Sequence, residues 1–330
     1  PTATLTATPA VVQLGGTVTL TMSGGADVPA DQPTLQYATD CGGGTFVAGA
    51  SQTCTMSTGG TVTVRGRVTD KDGGQTLYTQ VVTVNRPPVG DLGTNNGTPG
   101  QYVGAEGAAI VFAPSVTDPD GHPLSYSWTF APSGGNNPSP LTSTSATPSV
   151  TFPDNGTYSV SLTVTDGNGG STTFTGTATI SNVNPAATFS AAPTSVTVGQ
   201  TVVLTLTAGS DVAADQPTLV YETDCGDGTW VAGATRNCLI STPGAKTMRG
   251  RVTDKDGGQA VYTQIVATNQ APLVNANGAY NGSEGQTIAF SSAGTTDPDS
   301  DPLSYLWNFG DGNTSTAANP THVYADNGTY

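Results

Sequence analysis

The side chains best suited to chemistry in this sequence are few and unevenly placed. Cys41 and Cys54 lie 13 residues apart, and Cys225 and Cys238 repeat that interval. An even count at a repeated spacing, with no histidine or second cysteine pair beside either couple, predicts two local disulfides rather than a zinc site. Disulfides in turn imply an oxidising, extracytoplasmic compartment. A different chemistry is offered by Asp297, Asp299 and Asp301, which alternate through a Pro-containing loop. Carboxylates so spaced can turn several oxygens toward one hard cation, calcium above all, although the same stretch also reads as a solvated Asp/Pro turn. Asp118 and Asp120 repeat the first two positions with His122 at the third, and Asp27 with Asp31 and Asp211 with Asp215 stand in weaker versions of the same place. Catalysis has little to draw on. The two histidines (His122, His322) and three glutamates (Glu106, Glu222, Glu284) are scattered, and no zinc-protease helix, nucleophile elbow or phosphate loop is present, so no enzyme is expected.

The elements that must hold these residues emerge from internal repetition. Asp31-Gln-Pro-Thr-Leu35 recurs as Asp215–Leu219, and Arg65–Gly74 recurs as Arg249–Gly258, both at the same interval. A second family interleaves: Asp118–Tyr126 matches Asp297–Tyr305, and Asp154–Tyr158 matches Asp326–Tyr330. Three Asn-x-x-Pro junctions, Asn85–Pro88, Asn182–Pro185 and Asn269–Pro272, divide the chain into modules A1 (1–87), B1 (88–184), A2 (185–271) and B2 (272–330). B2 stops at the counterpart of Tyr158 and is expected to be truncated, the natural chain continuing in both directions.

Within a module the apolar residues alternate. Leu124, Tyr126, Trp128 and Phe130 share one strand face in B1. The aligned set in A1 is Leu35, Tyr37, Thr39 and Cys41, and in A2 it is Leu219, Tyr221, Thr223 and Cys225. The A modules thus lose a Trp-Phe pair and gain a cysteine on the core face. Trp128 and Trp307 read as core residues. Asp70–Gly74 and Asp166–Gly170 read as hairpin turns, and no helical stripe is found. About 90 residues with roughly seven short strands is the pattern of a β-sandwich. Asn-Gly sequons, Asn96 and Asn155 among them, double as turn signals.

Charge narrows the partners. The net charge is −15, with 9 Lys+Arg against 24 Asp+Glu, which disfavours nucleic acid and anionic membranes. No apolar run is long enough to span a bilayer, so direct membrane insertion of this segment is not expected. All nine bases lie in the A modules. Arg65 and Arg67 share the outward face of one strand, as do Arg249 and Arg251. They offer either a docking strip for an acidic module of another copy or arginines paired within their own sheet. Phe46, Tyr102 and Trp230 are the aromatic candidates off the core strands for a sugar-binding surface.

Trp307-Asn-Phe-Gly-Asp-Gly312, with Asn319–Tyr324, Asn327–Tyr330 and Thr165-Asp-x-x-Gly-Gly170, resembles the PKD-type repeat of the immunoglobulin-like superfamily. B2 departs from the family's Trp-Asp-Phe-Gly-Asp-Gly hallmark at Asn308, and B1 departs more, with Thr129–Pro132. The resemblance implies an all-β tandem array of four immunoglobulin-like sandwiches in A-B-A-B order. It also implies a spacer, adhesive or carbohydrate-associated role on a secreted or surface protein, often bacterial, and an acidic loop close to the preceding linker. There Asn85, Asn182 or Asn269 would add a carbonyl oxygen to a calcium ion that stiffens the junction. The expected partners are neighbouring repeats, with other copies of the chain or an extracellular glycan or protein beyond them. A stalk is the main reading. Accessory modules of a secreted enzyme and a self-assembling filament are the alternatives.

Overall fold

Alternating Thr and Val dictate strands, because successive side chains of a strand face opposite ways and β-branched residues suit the pleat. The computed structural model describes residues 1–132 and 134–330. It divides into two units, Pro1–Val183 with Val212–Ala214, and Asn184–Asp211 with Asp215–Tyr330.

In the first unit, β1 (Thr2–Thr8), β3 (Thr17–Ala26) and β6 (Ser51–Thr55) form one sheet of A1. The other sheet has the order β2 (Val11–Gln13), β8 (Gln75–Asn85), β7 (Gly60–Thr69), β4 (Gln36–Asp40), β5 (Val47–Ala48). B1 begins with β9 (Val89–Asp91), paired to β12 (Ser115–Thr117), while β11 (Ala109–Val111) pairs with β15 (Ser149–Thr151). Its main sheet runs β10 (Gln101–Ala105), β17 (Ser171–Ser181), β16 (Gly156–Thr165), β13 (Ser125–Phe130), β14 (Thr142–Ser143).

The second unit repeats the A plan. The sheet β18 (Ala186–Ala192), β20 (Thr201–Ser210), β23 (Thr235–Leu239) faces the sheet β19 (Ser195–Thr197), β25 (Gln259–Asn269), β24 (Lys246–Thr253), β21 (Val220–Asp224), β22 (Val231–Ala232). B2 shows two short pairs, β26 (Thr287–Ala289) with β29 (Thr321–Val323), and β27 (Trp307–Asn308) with β28 (Thr314–Ser315). The pairings β2/β8, β10/β17 and β19/β25 are parallel, and the other strand pairs are antiparallel. Among the described residues the helical content is two 3₁₀ turns, Gln32–Thr34 and Gln216–Thr218, where proline sets φ just before the strand.

The B1 core is aromatic. Trp128, Phe112, Phe130, Phe152 and Tyr158 are buried, and Trp128 donates its indole N–H to the Ser145 carbonyl at 2.9 Å. Tyr102 belongs to this core. It is 1% exposed, its ring lies 4.2 Å from that of Phe112, and its hydroxyl donates to the Leu92 carbonyl. The expectation of an off-core Tyr102 is therefore wrong. The parallel edge strand β10 folds its one aromatic residue inward, a placement that no alternation in Gln-Tyr-Val-Gly-Ala announces.

In A1 the cross-strand pair Thr39–Gly66 replaces Trp128–Leu162 of B1, and A2 has Thr223–Gly250. A Cβ on Gly250 would stand 2.4 Å from the Phe189 ring, so glycine here lets a large residue from the facing sheet fill the missing indole's space. Both disulfides are formed, Cys41–Cys54 and Cys225–Cys238, each with 5.5 Å between Cα atoms. In B2, Phe290 gathers Tyr280, Trp307 and Phe309 around it. Trp307 is only half-buried and Leu306 is 76% exposed, so the expectation of a buried Trp307 is corrected: residues 272–330 hold no counterpart of β16 and β17 to cover it.

Candidate functional site

The acids gather where two strands end together. In A1 the register Gln36↔Thr69 places the loop before β4 beside the hairpin after β7. The register Ser125↔Thr165 does the same for β13 and β16 in B1, and Val220↔Thr253 does so for β21 and β24 in A2. Each junction of strand ends thus adds a hairpin acid to the loop acids. The resulting groups are Asp27, Asp31 and Asp70 in A1; Asp118, His122 and Asp166 in B1; and Asp211, Asp215 and Asp254 in A2. Within each, one ligand atom per residue lies within 4.8 Å of the others. Of the added acids, Asp70 and Asp166 were read from the sequence only as the first residues of hairpin turns, and Asp254 only as part of the Arg249–Gly258 repeat. Their signal was a Thr-Asp step at the end of the long strand in all three modules.

The A1–B1 junction is closed by side chains. Asn85 is buried, and its Nδ2 donates to Asp166 Oδ2 at 2.6 Å and to Gln13 Oε1 at 3.1 Å. Gln13 in turn donates to the Asn168 carbonyl at 2.7 Å. Arg86 grips Asp120 with its backbone N–H (2.6 Å), Nε (2.9 Å) and Nη2 (2.8 Å), and Nη2 also reaches the Pro119 carbonyl. These hydrogen bonds from Arg86 hold the Asp120 carboxyl below its ordinary range. Burial opposes ionisation of Asp166, but Asn85 and the backbone amides of Asn168 and Gly170 outweigh it and keep that carboxyl depressed too.

Asp118 and Asp166 thus lie in one acid group, and the linker residue Asn85 is bonded to that group through Asp166, whereas Asp120 is turned to Arg86. Both carboxylate oxygens of Asp120 are occupied by Arg86. Asp118 Oδ1 accepts the amides of Asp120 and His122, whereas the buried Asp118 Oδ2 and Asn85 Oδ1 have no hydrogen-bond partner among the described residues.

The A2–B2 junction is looser. Gln270 takes the place of Arg86, its backbone N–H donating to Asp299 Oδ2 at 2.5 Å and its Nε2 to Asp299 Oδ1 at 3.2 Å. Asn269 is exposed. Asp297 Oδ1 accepts the amides of Asp299 and Asp301, so it is spent on its own turn. Asp297, Asp299 and Asp301 do not converge into a metal-sized group among the described residues. Elsewhere in B2, after β27, Asp311 binds His322 at 2.6 Å, and the His322 ring stacks on Phe309. Burial opposes ionisation of Asp311, but the Asn313 amide and His322 bring its carboxyl down to about 2.

In the A modules a lysine enters the acid group. Lys71 Nζ lies 2.6 Å from Asp31, and Lys255 Nζ lies 2.7 Å from Asp215. Asn182 opens the Asn182–Pro185 junction, and Glu106 Oε1 accepts the amide of the next residue, Val183, at 2.7 Å.

The arginines face outward as alternation required, and each is engaged in its own sheet. Arg65 lies 3.9 Å from Asp40, and Arg249 lies 3.9 Å from Asp224. Arg251 pairs with Glu222 at 2.5 Å. Arg67 lies over the Phe46 ring and Arg251 over the Trp230 ring, at 4.6 and 4.5 Å. The six acids of B1 make no complementary exposed face: Asp91, Asp118 and Asp120 are half-buried and Glu106, Asp154 and Asp166 are buried. Phe46 and Trp230, the two remaining aromatic candidates, thus each carry a guanidinium over one ring face.

Residues 85–181 and 269–330 match the family model of the PKD domain, and these two segments are PKD domains. Over 58 residues the chain is 57% identical to collagenase ColA of Bacillus cereus, a match covering 18% of this chain and 6% of that protein. Over 69 residues it is 42% identical to a microbial collagenase of Vibrio alginolyticus, covering 21% and 8%. The chain thus spans under a tenth of these relatives. Among solved structures, the eight N-terminal immunoglobulin domains of Down syndrome cell adhesion molecule align over 92% of this chain and 41% of theirs, at 13% identity and a TM-score of 0.36. No helix among the described residues is long and apolar enough to cross a membrane.

Proposed function

We propose that this chain is a non-catalytic extracellular spacer of four modules, bounded at Pro88, Pro185 and Pro272, whose work is to hold distance between what lies at its ends. The observation that carries the reading is the A1–B1 junction. A short linker with two prolines, Pro87 and Pro88, is bridged by Asn85–Asp166, Gln13–Asn168 and the four-contact Arg86 clasp. Prolines remove backbone freedom, and a buried charge-assisted bond is costly to open, so bending at this joint is opposed twice. Two disulfides support an extracellular setting.

Calcium belongs to the same reading. The buried oxygens Asp118 Oδ2 and Asn85 Oδ1, beside the Asp166 carboxylate, fit a hard cation that takes oxygen ligands. Bound there, calcium supplies positive charge that neutralises two carboxylates and ties the linker to B1. His122 contributes no oxygen and is not counted as a ligand.

Pulsed dipolar EPR between spin-label residues at Ser51 and Ser127 tests the joint. A narrow distance distribution that broadens in Arg86→Ala is expected, and a broad one in the parent refutes the spacer. Melting with and without a chelator tests calcium, and an unchanged B1 midpoint rejects it.

The collagenase matches favour a second reading, accessory modules of a secreted enzyme, because they are confined to 6% and 8% of those proteins. Co-sedimentation of the chain with fibrillar collagen, above that of an unrelated sandwich protein, would support it.

A further inference from the structure

Three modules build an acid group at the same pair of strand ends, and they differ in what stands among the carboxylates. In B1 the hairpin reads Asp166-Gly-Asn-Gly-Gly170, and the residue after the hairpin acid has no side chain. In A1 and A2 it reads Asp-Lys-Asp-Gly-Gly, and that next residue turns its side chain back over the group. Lys71 Nζ contacts Asp31 at 2.6 Å and Asp72 at 2.7 Å; Lys255 Nζ contacts Asp215 at 2.7 Å and Asp256 at 2.5 Å.

We propose that Lys71 and Lys255 are tethered cations, filling in the A modules the place that a divalent ion would take. These modules then fold without metal, and removing the ammonium opens a divalent-cation site. The comparison with B1 motivates the idea, but the idea does not require that B1 bind calcium.

The geometry bears this out on both sides of the group. Three carboxylates within 4.8 Å of one another repel, and the cost of keeping them charged rises as water is excluded. Asp215 is fully buried and Asp254 nearly so, and the positive charge that reaches Asp215 in A2 is the ammonium of Lys255, whose side chain comes in from the surface and stays 30% exposed. An ammonium is a compact point charge with three donors, able to address several oxygens at once. The loop is also fixed before any ion arrives. Gln32 ties the Asp27 amide to the Gly25 carbonyl, and Gln216 ties the Asp211 amide to the Gly209 carbonyl. Preset oxygens around a removable positive charge are what a hard divalent ion needs.

The test uses the full chain with Lys71→Met and Lys255→Met, separately and together, titrated with calcium by calorimetry. Relative to the parent, each substitution is expected to add one calcium site. It is also expected to lower the A-module melting midpoint, with calcium restoring the midpoint and an equal ionic strength of sodium chloride failing to do so. Lys255→Arg, which keeps a charge, is expected to add no site. If Lys255→Met does not fold alone, refolding with and without calcium decides: recovery only with calcium supports the proposal, and no recovery with calcium overturns it. Unchanged calcium stoichiometry in folded Lys→Met variants also overturns it, as does calcium binding by the parent that is lost in Asp215→Asn. Because every readout is a difference from the parent, a B1 module that binds no calcium lowers the baseline and leaves this result unaffected.

Discussion

Reducing the two disulfides should uncouple the A modules from the B modules thermally. Each bond closes a loop of 14 residues, Cys41–Cys54 and Cys225–Cys238. The chain-entropy relation gives about 3 kcal/mol at 25 °C for a loop of that length. Cys54 and Cys238 are each 2% exposed and Cys41 and Cys225 are half-buried, so the reduced thiols stay largely covered and the loss reports mainly the tether. For a module of this size, about 3 kcal/mol corresponds to a midpoint shift of roughly 12–24 °C. The assay is differential scanning calorimetry of the whole chain, reduced in denaturant, refolded, and checked for four free thiols by mass. The B modules contain no cysteine and serve as the internal reference. Cys225→Ser/Cys238→Ser, which affects A2 alone, assigns the transitions. If fully reduced A modules melt within about 3 °C of the oxidised ones, the idea that the crosslink is a main support of these modules is refuted.

Three further outcomes follow from the geometry. Asn85→Ala removes one of three hydrogen bonds from the buried Asp166 carboxylate and should cost about 2 kcal/mol, whereas the exposed Asn269→Ala should stay within about 0.5 kcal/mol by urea unfolding. Asp166 titrates below its unfolded value of about 3.9, so its contribution is present above that pH and is lost as pH falls through the folded value. B1 melting should therefore fall more steeply below about pH 4 in the parent than in Asp166→Asn, and parallel pH profiles would contradict this. Gly250→Ala forces a methyl against Phe189 and should destabilise A2 by about 1–3 kcal/mol, read by the same calorimetry.

What the sequence made legible was whatever repeats or alternates. Residues two apart on Leu124–Phe130 marked a core face, and the equal cysteine interval marked both crosslinks. What stayed hidden depends on which strand ends meet. Asp166 lies far along the chain from Asp118, and only the register of β13 against β16 brings them together. The outward direction of Arg67 and Arg251 was readable, but the rings of Phe46 and Trp230 beneath them were not, since those aromatics sit just before two-residue edge strands. Tyr102 and Trp307 erred in opposite directions for one reason: burial is set by the covering strand, which neither local pattern encodes.

The parallel pairing of β2 with β8, of β10 with β17 and of β19 with β25 has a mechanical corollary. In each case a strand near the start of a module lies alongside the strand that leads out of it. Tension between a module's entry and exit therefore loads these rungs in shear, all together, instead of peeling them one at a time. The lock spans five residue pairs in B1 and three in each A module, so under a steady pull the A modules should yield first. When they do, each disulfide withholds its enclosed loop from the lengthening chain, which shortens the extension released per unfolding event.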